Sequence, residues 1–203
     1  MGGIVKQMGG RMVTGRCGVS LVALALCALV CSAEDPGTGA TDAGQSVADL
    51  LRSAANSDAA WVAAGLLENN PRGADLAGHI AFPTDTVCVV ALKGSQVKQA
   101  LELSLSLYPS PNPGFLQISG LEVNFRPGSP ADRRVTDVRI NNAPLDAEKV
   151  YRVAMPSNLA RGGLGYFMVW NESAIEKTLE GVTLGSLLRG QQVRSSAPRW
   201  IGG

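Results

Sequence analysis

The Val-rich run Thr86–Leu92 (TVCVVAL) constrains the fold more than any other part of this chain. It is apolar without interruption and too short for a typical globular helix, which makes it a buried strand. From Gly94 to Leu107 the apolar residues Val97, Ala100, Leu101, Leu103 and Leu107 then recur at helical spacing. A buried strand that runs directly into an amphipathic helix calls for a sheet with helices packed against it. Further segments fit the same frame. Val47, Leu50, Leu51, Ala54 and Ala55 predict a helix from about Gln45 to Asn56-Ser57. Asp58–Ala64, Phe115–Ile118, Leu121–Phe125, Val135–Ile140 and Tyr151–Met155 read as strands, and Thr183–Leu188 as a short helix. Several strands follow one another through short turns such as Pro127–Pro130, which argues for antiparallel pairs. The expected fold is α+β, one mixed sheet with flanking helices.

The N-terminus follows other rules. Lys6, Arg11 and Arg16 precede an apolar stretch, Cys17–Cys31, and Ser32-Ala33 supply small residues before Glu34. This pattern predicts a secretory signal peptide over residues 1–33, cleaved after Ala33. An uncleaved anchor is the alternative, but the apolar stretch falls short of the ~20 residues needed to span a bilayer. Residues 34–44, rich in Gly, Thr, Asp and Pro, are expected to form a flexible leader, and residues 45–203 the domain. The expected location is periplasmic or secreted, with no membrane association once the signal is removed. Three of the four cysteines lie in the signal region, so the mature chain keeps Cys88 alone. It has no partner for an internal disulfide, and its place in the apolar run makes it a small buried hydrophobe. A net charge of +1 without a basic stripe gives no sign of nucleic-acid binding.

The segment Leu159–Tyr166 (LARGGLGY) is the strongest candidate for a ligand loop. Gly162, Gly163 and Gly165 allow positive φ and a close backbone approach to a ligand; a tight structural turn after the preceding strand is the other reading. The ordered set SVADLLRSAA, AAWVAAG, LKGSQVKQALE, FLQISGLEVNF, RVTDVRINNAPLDAEKVYRVAMPSNLARGGLGY and PRWI resembles the C-terminal domain of the 5'-nucleotidases. The resemblance runs from about Gln45 to Ile201. It implies a nucleotide or nucleoside ligand clamped between two aromatic rings, with an acid in the glycine loop holding the ribose hydroxyls. It places Phe82, Asn158, Arg161, Gly162, Gly163 and Tyr166 in the substrate-binding set. Phe82 is the match for the first aromatic, although it precedes Pro83 where the family has proline first. The position of the second aromatic holds Asn158, and that of the acid holds Leu164. A leucine cannot accept a hydrogen bond from a hydroxyl, and an amide stacks poorly. Arg72 is either a shifted counterpart of a phosphate-end arginine or a solvated loop charge. Arg161 could pair a phosphate, or be a surface charge.

The chain contains one histidine, His79, and no Asp-x-His phrase. A dinuclear phosphoesterase centre needs several such ligands to hold two ions. No catalytic residue, metal ligand or cofactor is therefore expected, and nucleotide-binding glycine signatures of other kinds do not occur. The resemblance implies the substrate-binding half of a nucleotide hydrolase, with a separately encoded metallophosphoesterase as partner. The alternative is a structural or interaction domain that has lost its nucleotide. A third reading would use Trp61, Tyr166, Phe167 and Trp170 as aromatic surface, where the ordinary fate of such residues is the core.

Overall fold

The computed structural model describes residues 1–3, 35–68 and 70–203. The expected signal peptide lies outside the described residues apart from its first three positions. Helix α1 spans Asp42–Ala55, slightly earlier than its apolar period predicts. The reason is the cap: Thr41 is extended, and its hydroxyl accepts from the Gly44 amide at 3.1 Å. Asp42 in the first turn and Arg52 in the last complement the helix dipole. Asn56, in the left-handed region, closes the helix.

Five strands form the first sheet. These are β1 (Ala59–Ala63), β2 (Thr86–Lys93), β3 (Leu116–Ser119), β7 (Val150–Pro156) and β8 (Ile175–Thr183), in the order β3-β1-β7-β2-β8. The pair β1–β7 is parallel; β1–β3, β2–β7 and β2–β8 are antiparallel. A second sheet holds β4 (Leu121–Phe125), β5 (Val135–Ile140), β6 (Ala143–Pro144) and β9 (Trp200–Gly202), in the order β6-β5-β4-β9. The α+β class agrees with the sequence, but the strands divide between two sheets where one was expected. The chain crosses between them at Gly120, which has φ +78°. A Cβ there would lie 2.4 Å from the Asp58 carbonyl oxygen, so only glycine fits. The indole of Trp200, on β9, donates to Leu116 O at 2.8 Å and ties the second sheet back to β3. Its ring packs on Phe115 (5.1 Å) and edge-on to Phe125 (6.2 Å).

The other helices are α2 (Gly94–Ser104), α3 (Ser157–Ala160) and α4 (Leu184–Leu188). Val97, Ala100 and Leu101 bury the inner face of α2, as their spacing requires. Cys88 lies in the core on β2. The stretch expected as a flexible leader is different in its described part. The Gln117 amide, fully buried, donates to Pro36 O at 2.9 Å and Gly39 O at 2.7 Å, and its oxygen accepts from Thr41 N. Residues 35–41 are thus docked by backbone hydrogen bonds to one buried side chain, whose desolvation they offset. Among the described residues no helix is long and apolar enough to cross a membrane.

Candidate functional site

Sheet topology brings the two singled-out segments together. Val87 on β2 is the register partner of Pro156 on β7. The residues before β2 and those after β7 therefore leave the sheet at the same end. Before β2 lies the turn Phe82–Asp85, closed by Asp85 N donating to Phe82 O at 3.1 Å. Pro83 follows Phe82, where its fixed φ suits the second position of a turn. After β7 comes α3 and the glycine loop.

Asp85 fastens these segments to each other. Its Oδ1 accepts from Thr86 N at 2.8 Å and from the Ser157 hydroxyl, and its Oδ2 accepts from Asn158 N at 3.2 Å. The start of α4 holds the same turn from another side: Leu184 N donates to Asp85 O and Gly185 N to Pro83 O, both at 2.8 Å. Ala81 N donates to Leu66 O at 3.1 Å, which sets the turn beside residues 64–66. Phe82 itself is 53% exposed, so its ring is available to a ligand.

The glycine loop is held in an unusual backbone form. Gly162 has φ +87°, and a Cβ on it would lie 2.7 Å from Phe167 Cα. Its carbonyl accepts from Phe167 N at 2.9 Å. The Asn158 side chain folds onto Gly163, where a Cβ would meet Asn158 Oδ1 at 2.2 Å. Leu164 has φ +57°, a conformation that is costly for a branched side chain. It is 39% exposed, and it rests against Gly65 rather than standing free. Gly165 has open space where its side chain would be. Arg161 is exposed and makes no ion pair among the described residues.

Tyr166 requires a correction. It belongs to the expected substrate-binding set, yet it is fully buried. Its hydroxyl donates to Gly114 O at 2.6 Å, and its ring stacks on Trp170 at 4.8 Å. Trp170 in turn tilts against Trp61 at 5.7 Å and donates to Leu159 O at 3.0 Å. These aromatics anchor the glycine loop to the core. Burial pushes the Tyr166 phenol far above its ordinary pKa, against a smaller opposite effect of the Ser104 hydroxyl. Of the four aromatics considered as surface, Phe167 alone is exposed. Arg72 is an exposed loop residue whose amide donates to Gly78 O. His79 is half-buried; desolvation lowers its pKa, and nearby Asp75 partly offsets this. Asp85 is the site residue that sequence reasoning missed. An acid placed between a proline turn and a buried strand was the available signal.

The arrangement suits holding a ligand against one exposed ring, beside a neutral amide and an arginine. Asp85 already engages its carboxylate in three internal hydrogen bonds, so it is poorly placed to act as a base. Among the described residues no group of three or more His, Cys, Asp or Glu is placed to hold a metal ion.

The domain is thus of α+β type, with an exposed aromatic turn clamped to a glycine loop at one end of a mixed sheet. The model of the family "5'-nucleotidase, C-terminal domain" matches residues 26–171, and the chain belongs to that family. A snake venom 5'-nucleotidase from Naja atra is 32% identical over 97 residues, covering 44% of this chain and 18% of that protein. The 5'-nucleotidase of Bos taurus is 38% identical over 95 residues, covering 43% of this chain and 17% of that one. The chain thus spans less than a fifth of the length of either relative. Among solved structures, a 5'-nucleotidase precursor from Thermus thermophilus superposes with a TM-score of 0.68 at 24% identity. The match covers 82% of this chain and 36% of that one. A sulfate thiohydrolase from Thermus thermophilus superposes with a TM-score of 0.56 at 19% identity, covering 81% and 32%. Two proteins named for different substrates share this fold, so the fold alone does not fix the ligand.

Proposed function

We propose that this chain is an exported, non-catalytic binding module for a nucleotide or nucleoside, and that its hydrolytic centre comes from a separate phosphoesterase. The observation that carries this reading is the Asp85 clamp, which holds the exposed Phe82 beside the glycine loop in a member of a 5'-nucleotidase family. Stacking on Phe82 would accept any base, because every base has a π face. Export rests on the basic and apolar pattern of residues 1–33. A second reading, an interaction domain that no longer holds a nucleotide, is favoured by Leu164 lying where an acid would bind ribose hydroxyls and by the exposed Phe167 and Met168.

Calorimetric titration of the full chain with AMP, adenosine and a UDP-sugar, without added metal, separates the two. The binding-module reading expects saturable binding that Phe82→Ala abolishes while the thermal midpoint stays unchanged. No heat at millimolar ligand would leave the interaction-domain reading in its place.

A further inference from the structure

A second polar cleft lies at the other end of β3. The Leu116 end of that strand is near the glycine loop, since Gly114 approaches Leu164; Ser119 marks the far end. There a cleft of about 610 Å³ opens between the end of α1, the β3–β4 crossing and the turn after β5. This is a volume suited to a small molecule. Arg52, Arg139 and Arg199 line it together with Asp49, Glu122 and Asn142.

The charges in this cleft are unequally satisfied. Arg199 pairs with Asp49 at 2.8 Å, and the other Asp49 oxygen accepts from the Ser119 hydroxyl at 2.6 Å. Both oxygens of that carboxylate therefore have a partner. Arg52 and Arg139 have no carboxylate within ion-pair distance among the described residues. Neutral groups hold them instead. Arg52 donates to Asp58 O at 3.0 Å and to the Asn141 side chain, and Arg139 donates to Asn142 O at 2.7 Å. Asn141 and Asn142 both have positive φ, 49° and 65°, so one tight turn fixes both guanidiniums. The α1 C-terminus offsets about half a charge at Arg52, and the rest remains. Glu122 faces Arg139 across the β4–β5 pair without forming an ion pair.

We propose that this cleft binds a small oxyacid, its carboxylate or phosphate held by the forks of Arg52 and Arg139. Planar guanidiniums with spare donors match such oxygens, and being held in place beforehand lowers the ordering cost of binding. Glu122, an acceptor in the same cleft, selects an oxyacid that also carries hydroxyl groups over a bare dianion.

The test is an amide-shift titration of the full chain with sodium phosphate and with sodium malate, each against sodium chloride at equal ionic strength. Saturable shifts at Gly120, Arg139, Asn141 and Asn142, absent with chloride, are expected. Arg139→Gln is expected to weaken them about tenfold. Arg139 is exposed and makes one backbone hydrogen bond, so its loss should leave the fold intact. Arg52→Lys, which keeps the charge and loses the fork, should also weaken binding. Saturation by malate alone, or by malate more tightly than phosphate, supports the proposal; saturation by phosphate alone contradicts the selection by Glu122 and would overturn it. Equal shifts with chloride, no shifts, or undiminished binding in both variants would overturn it. Amides of the glycine loop serve as a separate reporter, so the nucleotide reading stands or fails independently.

Discussion

Leu164 and Asn158 decide what the glycine loop can hold. The left-handed conformation of Leu164 costs about 1 kcal/mol for a side chain of this kind, and packing against Gly65 offsets part of that. An aspartate tolerates the same conformation better and restores an acceptor for hydroxyl groups. The double variant Asn158→Phe with Leu164→Asp is therefore expected to bind adenosine at least about tenfold more tightly than the wild type by calorimetry. An unchanged affinity would mean that the ligand does not sit on this loop. Tyr166 makes the opposite case. Tyr166→Phe leaves Gly114 O without its buried donor and should cost about 1 kcal/mol in a denaturant titration, with no change in ligand affinity. The sequence showed both residues but not their directions. An aromatic that follows a glycine loop can turn inward or outward, and here the depth of the Trp61–Trp170 cluster turns it inward.

Among the elements, the turn Phe82–Asp85 depends on helices α3 and α4 that are each too short to be stable alone. Replacing Asp85 with asparagine turns one of its two acceptor oxygens into a donor, so the bonds from the Ser157 hydroxyl to Oδ1 and from Asn158 N to Oδ2 cannot both be kept. We expect a loss of about 1 kcal/mol and faster hydrogen exchange at Asn158 and its neighbours. If exchange there is unchanged, Asp85 is not the clamp. The central elements were legible because their patterns are internal: Val87–Leu92 is buried throughout apart from Ala91, and α2 keeps its period. Strand β8 was not, because its sequence IEKTLEGVT places charged residues along a mostly exposed edge. The docking of residues 35–41 was equally hidden. Gly, Pro and Asp serve a loose leader and a packed turn alike, and the deciding contact comes from Gln117, far along the chain.

For the molecule as a whole, the α+β class followed from the mixture of strand and helix periods, while the division into two sheets rested on one glycine crossing that no period encodes. The buried Tyr166 also sets an alkaline limit on stability. Its pKa is raised in the folded state above an unfolded value of about 10, so its contribution is complete below that pH and is lost as pH rises beyond it. Unfolding free energy should fall more steeply above about pH 10 in the wild type than in Tyr166→Phe. Equal slopes would show that the phenol is not the group responsible. That the turn at Phe82 and the glycine loop together form a nucleotide-binding site is best tested by mapping amide shifts while adenosine is added to the full chain. Saturable changes should concentrate at Thr84–Thr86 and Asn158–Gly165. Changes confined to other surfaces, or none at millimolar adenosine, would refute such a site.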